Sequence, residues 1–188
     1  MRFVLISLCG GVGLAMVLAC AGGKPSGASK PPPAAVETKI VPYGSKITIG
    51  GVELSLQAPQ VGKISGTHLG QSGESDEEYF SVKVRLHNRD TTSKREYASW
   101  SAQQTFGSNA TLTDDLGNPY KLVRFELFSE VAGQLKRATL YDDKPISDLL
   151  VFQRPVPRAK ALTLELPLAR CGGDGLVKFR IPAEKIGR

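Results

Sequence analysis

The sequence predicts an all-β fold, an antiparallel β-sandwich, for residues 38–188. Three observations predict it. Apolar and polar residues alternate in short runs, turn residues interrupt those runs at intervals, and helical periodicity is almost absent. One domain is the simplest count at this length. With 41% hydrophobic and 22% charged residues, the chain has the composition of a protein that fills a core.

Ile47 and Ile49 alternate ahead of Gly50-Gly51, and Val52, Leu54 and Leu56 alternate behind it, which is a hairpin pattern. Residues 79–87 form the clearest strand. Phe80, Val82, Val84 and Leu86 share one face, and Ser81, Lys83, Arg85 and His87 share the other, until Asn88-Arg89-Asp90 breaks the run. Residues 111–113 and 120–125 flank 114–119 as a second hairpin with a longer loop. Runs at 138–141, 149–152, 162–166 and 176–181 complete the set. Leu162, Leu164 and Leu166, and likewise Val177, Phe179 and Ile181, are expected to point inward.

Pro155 and Pro157 fall between strands, where a missing backbone donor does no harm. Leu127, Val131 and Leu135 are spaced four apart, yet Gly133 and the short length predict a loop with at most one helical turn. About eight short strands with regular turns make an Ig-like sandwich. The Ig disulfide is absent, and a small barrel is the competing topology that periodicity leaves open.

The first 37 residues have a different texture. Arg2 precedes an almost unbroken apolar and small-residue run over 3–19, and a polar tract follows Cys20. That order is a secretory signal peptide. An uncleaved membrane anchor is the alternative, but the run is short for a span and contains Gly10, Gly11 and Gly13. Val17-Leu18-Ala19-Cys20 resembles the lipobox of bacterial lipoprotein precursors. The resemblance implies removal of residues 1–19 and acylation of Cys20, and two acyl chains suffice for stable anchoring. Residues 20–37, rich in Gly, Ser and Pro, read as a tether, with Pro31-Pro32-Pro33 locally extended. The expected location is the cell envelope, anchored on the exported side of a membrane.

Net charge is +6, falling to +5 once Arg2 leaves with the signal. Such a balance favours acidic surfaces without naming one. The exported location disfavours nucleic acid, so none is expected as a partner. Cys9 leaves with the signal and Cys20 is consumed by lipid, so Cys171 stands alone and no intramolecular disulfide is expected. A small buried apolar side chain is the expected role for Cys171, with an intermolecular bridge as the alternative.

The chain from about residue 38 also resembles exported bacterial domains of unknown function with an extracellular Ig-like fold. Many of these carry a telomeric-repeat-binding-factor-like label. The resemblance rests on Val82-Lys83-Val84-Arg85-Leu86-His87-Asn88 and on Leu112-Thr113-Asp114-Asp115-Leu116-Gly117-Asn118-Pro119-Tyr120. Asp148-Leu149-Leu150-Val151-Phe152, Leu162-Thr163-Leu164-Glu165-Leu166-Pro167 and the final run from Gly175 to Pro182 extend it. These motifs are structural, so the resemblance implies a fold and no catalytic residue.

Chemistry is sparse. His68 and His87 are the only histidines, and Cys171 beside Arg170 is the one candidate thiol nucleophile, which makes an envelope hydrolase the alternative function. Glu74, Asp76, Glu77 and Glu78, and separately Asp114 and Asp115, are acidic clusters without the spacing of a calcium loop. No metal and no cofactor are expected. Lys83, Arg85 and His87 on one strand face, and Lys178 and Arg180 on another, are the candidate binding surface. Tyr97, Trp100 and Phe106 are either core or an aromatic platform for sugar. The expected function is a non-enzymatic binding or structural domain, held to the membrane by lipid on Cys20. An envelope protein or an acidic polysaccharide is its expected partner.

Overall fold

In the computed structural model, residues 39–102, 109–125 and 130–187 are described, and all belong to a unit spanning 35–188. The signal peptide, Cys20, the tether, Phe106 and Leu127 lie outside them. Among the described residues the strands run in the order β1 (Lys39–Pro42), β2 (Lys46–Ile49), β3 (Val52–Gly62), β4 (Ser65–His68) and β5 (Gln71–Glu74). Then come β6 (Tyr79–Asn88), β7 (Arg95–Ala98), β8 (Thr111–Asp114), β9 (Pro119–Tyr120) and β10 (Glu130–Val131). The last are β11 (Arg137–Leu140), β12 (Ile146–Phe152), β13 (Ala161–Pro167) and β14 (Leu176–Pro182).

Two sheets face each other, ordered β1-β14-β13-β8-β9 and β12-β6-β3-β2. β3, β6 and β12 stand where strands A, B and E stand in an Ig-like sandwich, and β8, β13 and β14 stand where C, F and G do. The chain is therefore an all-β sandwich, and the barrel alternative falls away. The Gly50-Gly51 hairpin is present, with φ of 55° and 84° at the two glycines. Both values are positive, as a two-residue turn between antiparallel strands requires.

Alternation decides which side chains fill the space between the sheets. Val82, Val84 and Leu86 from β6 meet Leu162, Leu164 and Leu166 from β13, and Val177, Phe179 and Ile181 from β14, all 0–1% exposed. Each such side chain contributes about 1.5–3 kcal/mol through burial. A smaller cluster forms on the outer face of β6 and β12, where Leu149 and Val151 pack under Ile64, Tyr79, Val123, Phe125 and Val131. The short sheet β10-β4-β5 covers that end of the face.

Three expectations are revised. Val131 lies in β10 and pairs with Gly66, so the described part of the 125–137 stretch contains a strand and a turn and no helical turn. The second hairpin is shorter than expected, because β9 ends at Tyr120 and only Leu122 bridges onward, to Phe152. The apolar alternation does not predict strands β1, β4, β5, β7 and β10.

Candidate binding surfaces

Lys83, Arg85 and His87 all project from the outer face of the four-stranded sheet, because their neighbours in β6 fill the core. Lys83 is exposed, and Arg85 and His87 are half-buried. Across the ladder they face Gln57, Ser55 and Glu53 of β3. Glu53 would offset this positive stripe, but it is engaged by Lys46 at 3.1 Å and Arg89 at 2.8 Å. The Arg89 hydrogen bond, with help from Lys46, holds the Glu53 carboxyl below its ordinary value against the opposing effect of burial. His87 Nε2 lies 2.7 Å from the Asp142 carbonyl oxygen, which can only accept, so that ring nitrogen carries the proton.

Lys178 and Arg180 project from the outer face of the other sheet. Lys178 is paired with Glu165 at 2.5 Å, leaving Arg180 as the exposed cation. Because the inner faces of both sheets share one core, these two residues point away from the Lys83 stripe. The five predicted surface residues thus form two patches on opposite sides.

The remaining candidates have structural partners. Asp114 accepts hydrogen bonds from the Leu116 and Asn118 backbone, from Asn118 Nδ2 and from Tyr120 OH, at 2.7–2.9 Å. Burial raises its carboxyl, but these bonds outweigh it and hold the group down at about 2. Asp115 accepts from the Lys160 and Ala161 amides, tying the β8–β9 turn to β13. Both carboxylates are turn fasteners. In the other acidic cluster, Glu78 pairs with Arg154 at 2.6 Å. Trp100 and Tyr97 are core residues: their rings meet edge-on at 5.2 Å, and Trp100 Nε1 donates to the Pro167 carbonyl at 2.8 Å.

Cys171 is 2% exposed and donates its thiol to the Leu168 carbonyl at 3.3 Å. Burial pushes the thiol up to about 11. His87 is engaged with Asp142, and His68 sits at an exposed hairpin end. This geometry does not suit a nucleophile. Alkylation of native Cys171 at pH 8, followed by peptide mass mapping, is expected to run roughly 100-fold slower than for a free cysteine and to recover on unfolding. A native rate equal to that of a free thiol would refute the buried assignment.

Two features escaped the sequence reading. The first is a buried polar knot around Asp148, which points inward from β12 at 0% exposure. Tyr97 OH and Ser99 Oγ donate to its Oδ2 at 2.5 and 2.6 Å, and the Leu135 amide donates to Oδ1 at 2.8 Å. Ser101 Oγ lies 2.7 Å from Ser99 Oγ. Burial drives the Asp148 carboxyl above its ordinary value although these bonds pull the other way. The second is an open groove of about 1050 Å³ beside the knot, between the β7–β11 ribbon and the β4–β10 pair. Arg124, Lys136 and Arg137 stand exposed along it, and Ser101 and Leu135 join it to the knot.

No family model and no curated protein matches the chain. Among solved structures it is similar to the yjhA protein of Bacillus subtilis, at 15% identity over 75% of this chain and 98% of that one, with a TM-score of 0.49. It is also similar to a putative lipoprotein (ycdA) of the same species, at 16% identity over 74% of this chain and 38% of that one, with a TM-score of 0.45. A third is an uncharacterized β-sandwich protein of Clostridium difficile 630, at 12% identity over 80% and 99% of the two chains, with a TM-score of 0.41. At these scores the fold assignment rests on the strand pairing itself. That pairing makes the described residues a β-sandwich of Ig-like strand order, with cationic side chains on its outer surfaces.

Proposed function

We propose that this chain is a lipid-anchored envelope protein whose sandwich is a binding module and not an enzyme. The observation that carries the binding reading is the β6 stripe. Lys83 and Arg85 sit on a central strand whose inner face is locked in the core, and the neighbouring Glu53 is neutralised by other cations. A rigid strand positions surface charges better than a loop does. The buried, hydrogen-bonded Cys171 thiol argues against the hydrolase alternative. The Val17-Leu18-Ala19-Cys20 segment supports the anchor.

The test compares wild type, Cys20→Ser and Lys83→Glu/Arg85→Glu in the cell of origin. Cys20→Ser is expected to leave the membrane fraction or to persist uncleaved; unchanged size and partition would reject the anchor. Lys83→Glu/Arg85→Glu is expected to lose most of its retention on fractionated envelope material at low salt. Retention equal to wild type would reject the stripe as the binding surface.

A further inference from the structure

The groove along the edge of β12 has the composition of a ligand site. Segment 132–136 forms part of its wall and is pinned to β12 by the Leu149 amide on the Gly133 carbonyl (2.9 Å) and by the Leu135 amide on Asp148 (2.8 Å). Arg124 comes from the stretch after β9, and Lys136 and Arg137 from the start of β11. Among the described residues every ion pair lies elsewhere, so these three cations are unneutralised. Glu130 is the one acid among the described lining residues. Between the charges, Gln134 offers an amide group, and Val131 and Leu135 offer apolar surface.

We propose that this groove holds a linear acidic polysaccharide, with sugar carboxylates on Arg124, Lys136 and Arg137. The inference rests on the binding-module reading and names a ligand class and a second site for it. Charge complementarity is the main argument: unpaired cations in a concave, partly apolar setting attract anions more strongly than the same charges on an open face. Two of the three are arginines, whose forked guanidinium matches a carboxylate with two parallel hydrogen bonds.

Size supports a chain over a single small molecule, since about 1050 Å³ lies at the top of the usual range of about 300–1,000 Å³ for small-ligand sites. Mixed polar and apolar lining suits sugar rings, which present hydroxyls at their edges and C–H groups on their faces. A lipid surface fits less well. The large exposed apolar side chains Ile40, Leu69, Leu116 and Tyr141 line no part of the groove.

The test titrates the full chain, in detergent, with polygalacturonate as the carboxylate probe, dextran as the neutral control and DNA as the phosphate control. Polygalacturonate is expected to bind at about 50 mM NaCl and to weaken at least about tenfold by about 500 mM, as screening requires. Arg124→Glu/Arg137→Glu is expected to lose at least about tenfold in affinity, while the charge-matched control Arg158→Glu/Lys185→Glu, exposed and away from both the groove and the stripe, stays within about twofold of wild type, and Lys83→Glu/Arg85→Glu is titrated beside them. Should the groove double variant fail to melt cooperatively, Lys136→Ala carries the same test with a loss of about threefold or more.

No binding at low salt, equal binding to dextran, tighter binding to DNA, or indifference to the groove substitutions would each overturn the assignment. Loss confined to the Lys83/Arg85 variant would overturn the groove and leave the β6 stripe standing. Groove binding by a wild-type chain whose Cys20→Ser form stays on membranes would uphold the ligand while removing the anchor.

Discussion

Asp148→Ala is expected to lower stability by about 3–5 kcal/mol. The carboxylate accepts from three donors at 0% exposure, and alanine leaves Tyr97 OH and the Leu135 amide without a partner. Ser99 can still turn to Ser101, which moderates the loss. Each orphaned buried donor costs about 1–3 kcal/mol, against a total stability of about 5–15 kcal/mol for a typical domain. Denaturant unfolding with an unchanged slope measures it, and a loss below about 1 kcal/mol would mean that water replaces the carboxylate.

Asp148→Asn adds a sign test. Because the folded-state carboxyl is raised above its unfolded value, its favourable contribution is full at low pH and declines as pH rises toward the folded value. Wild type should therefore lose ground to Asp148→Asn as pH climbs from about 4. The opposite slope would mean that the hydrogen bonds outweigh burial.

Trp100→Ala is expected to cost about 3–5 kcal/mol, in line with large aromatic truncations in well-packed cores. Trp100 is fully buried, meets Tyr97 edge-on and closes the end of β13 through the Pro167 carbonyl. Its removal opens a cavity and orphans that carbonyl. The loss should also reach Asp148, since Tyr97 bridges the two. A double variant of Trp100→Ala with Tyr97→Phe should therefore depart from additivity. Trp100→Phe should recover part of the stability; equal losses for Phe and Ala would mean that the indole hydrogen bond matters more than the packed volume.

The strands that were legible carry their own alternation. β6, β13 and β14 each put three or more large apolar residues at even spacing, so inward and outward faces follow from parity alone. β5, with the sequence Gln-Ser-Gly-Glu, has no apolar residue and is exposed throughout; it is a strand only because β4 pairs with it. β7 signals itself through Tyr97 alone. Parity also placed Lys83 and Arg85 outward, but their isolation from Glu53 depends on cross-strand register, which no local pattern encodes.

The groove was illegible for a similar reason. Arg124, Lys136 and Arg137 sit in aperiodic sequence; pairing of β11 with β7 places Arg137, and the Leu122–Phe152 bridge with the Val123 amide on the Val151 carbonyl places the stretch that carries Arg124. Asp148 did leave a trace. It occupies the same parity as Leu150 and Phe152, so a charged residue at an inward position was already visible in the run.

The placement of β1 bears on how the domain withstands force. β1 lies parallel to β14, with Lys39 beside Val177 and Pro42 beside Arg180, and the chain passes to β2 of the opposite sheet three residues later. At the far end the Gly187 amide and carbonyl bond to Pro59 and Val61 of that same opposite sheet. A pull entering at Lys39 along the strand axis therefore loads the β1–β14 bonds together, in shear, instead of peeling them one by one. Both ends of the described domain are fastened across the two sheets, so traction applied at Lys39 would be resisted by the whole sandwich as a single mechanical clamp.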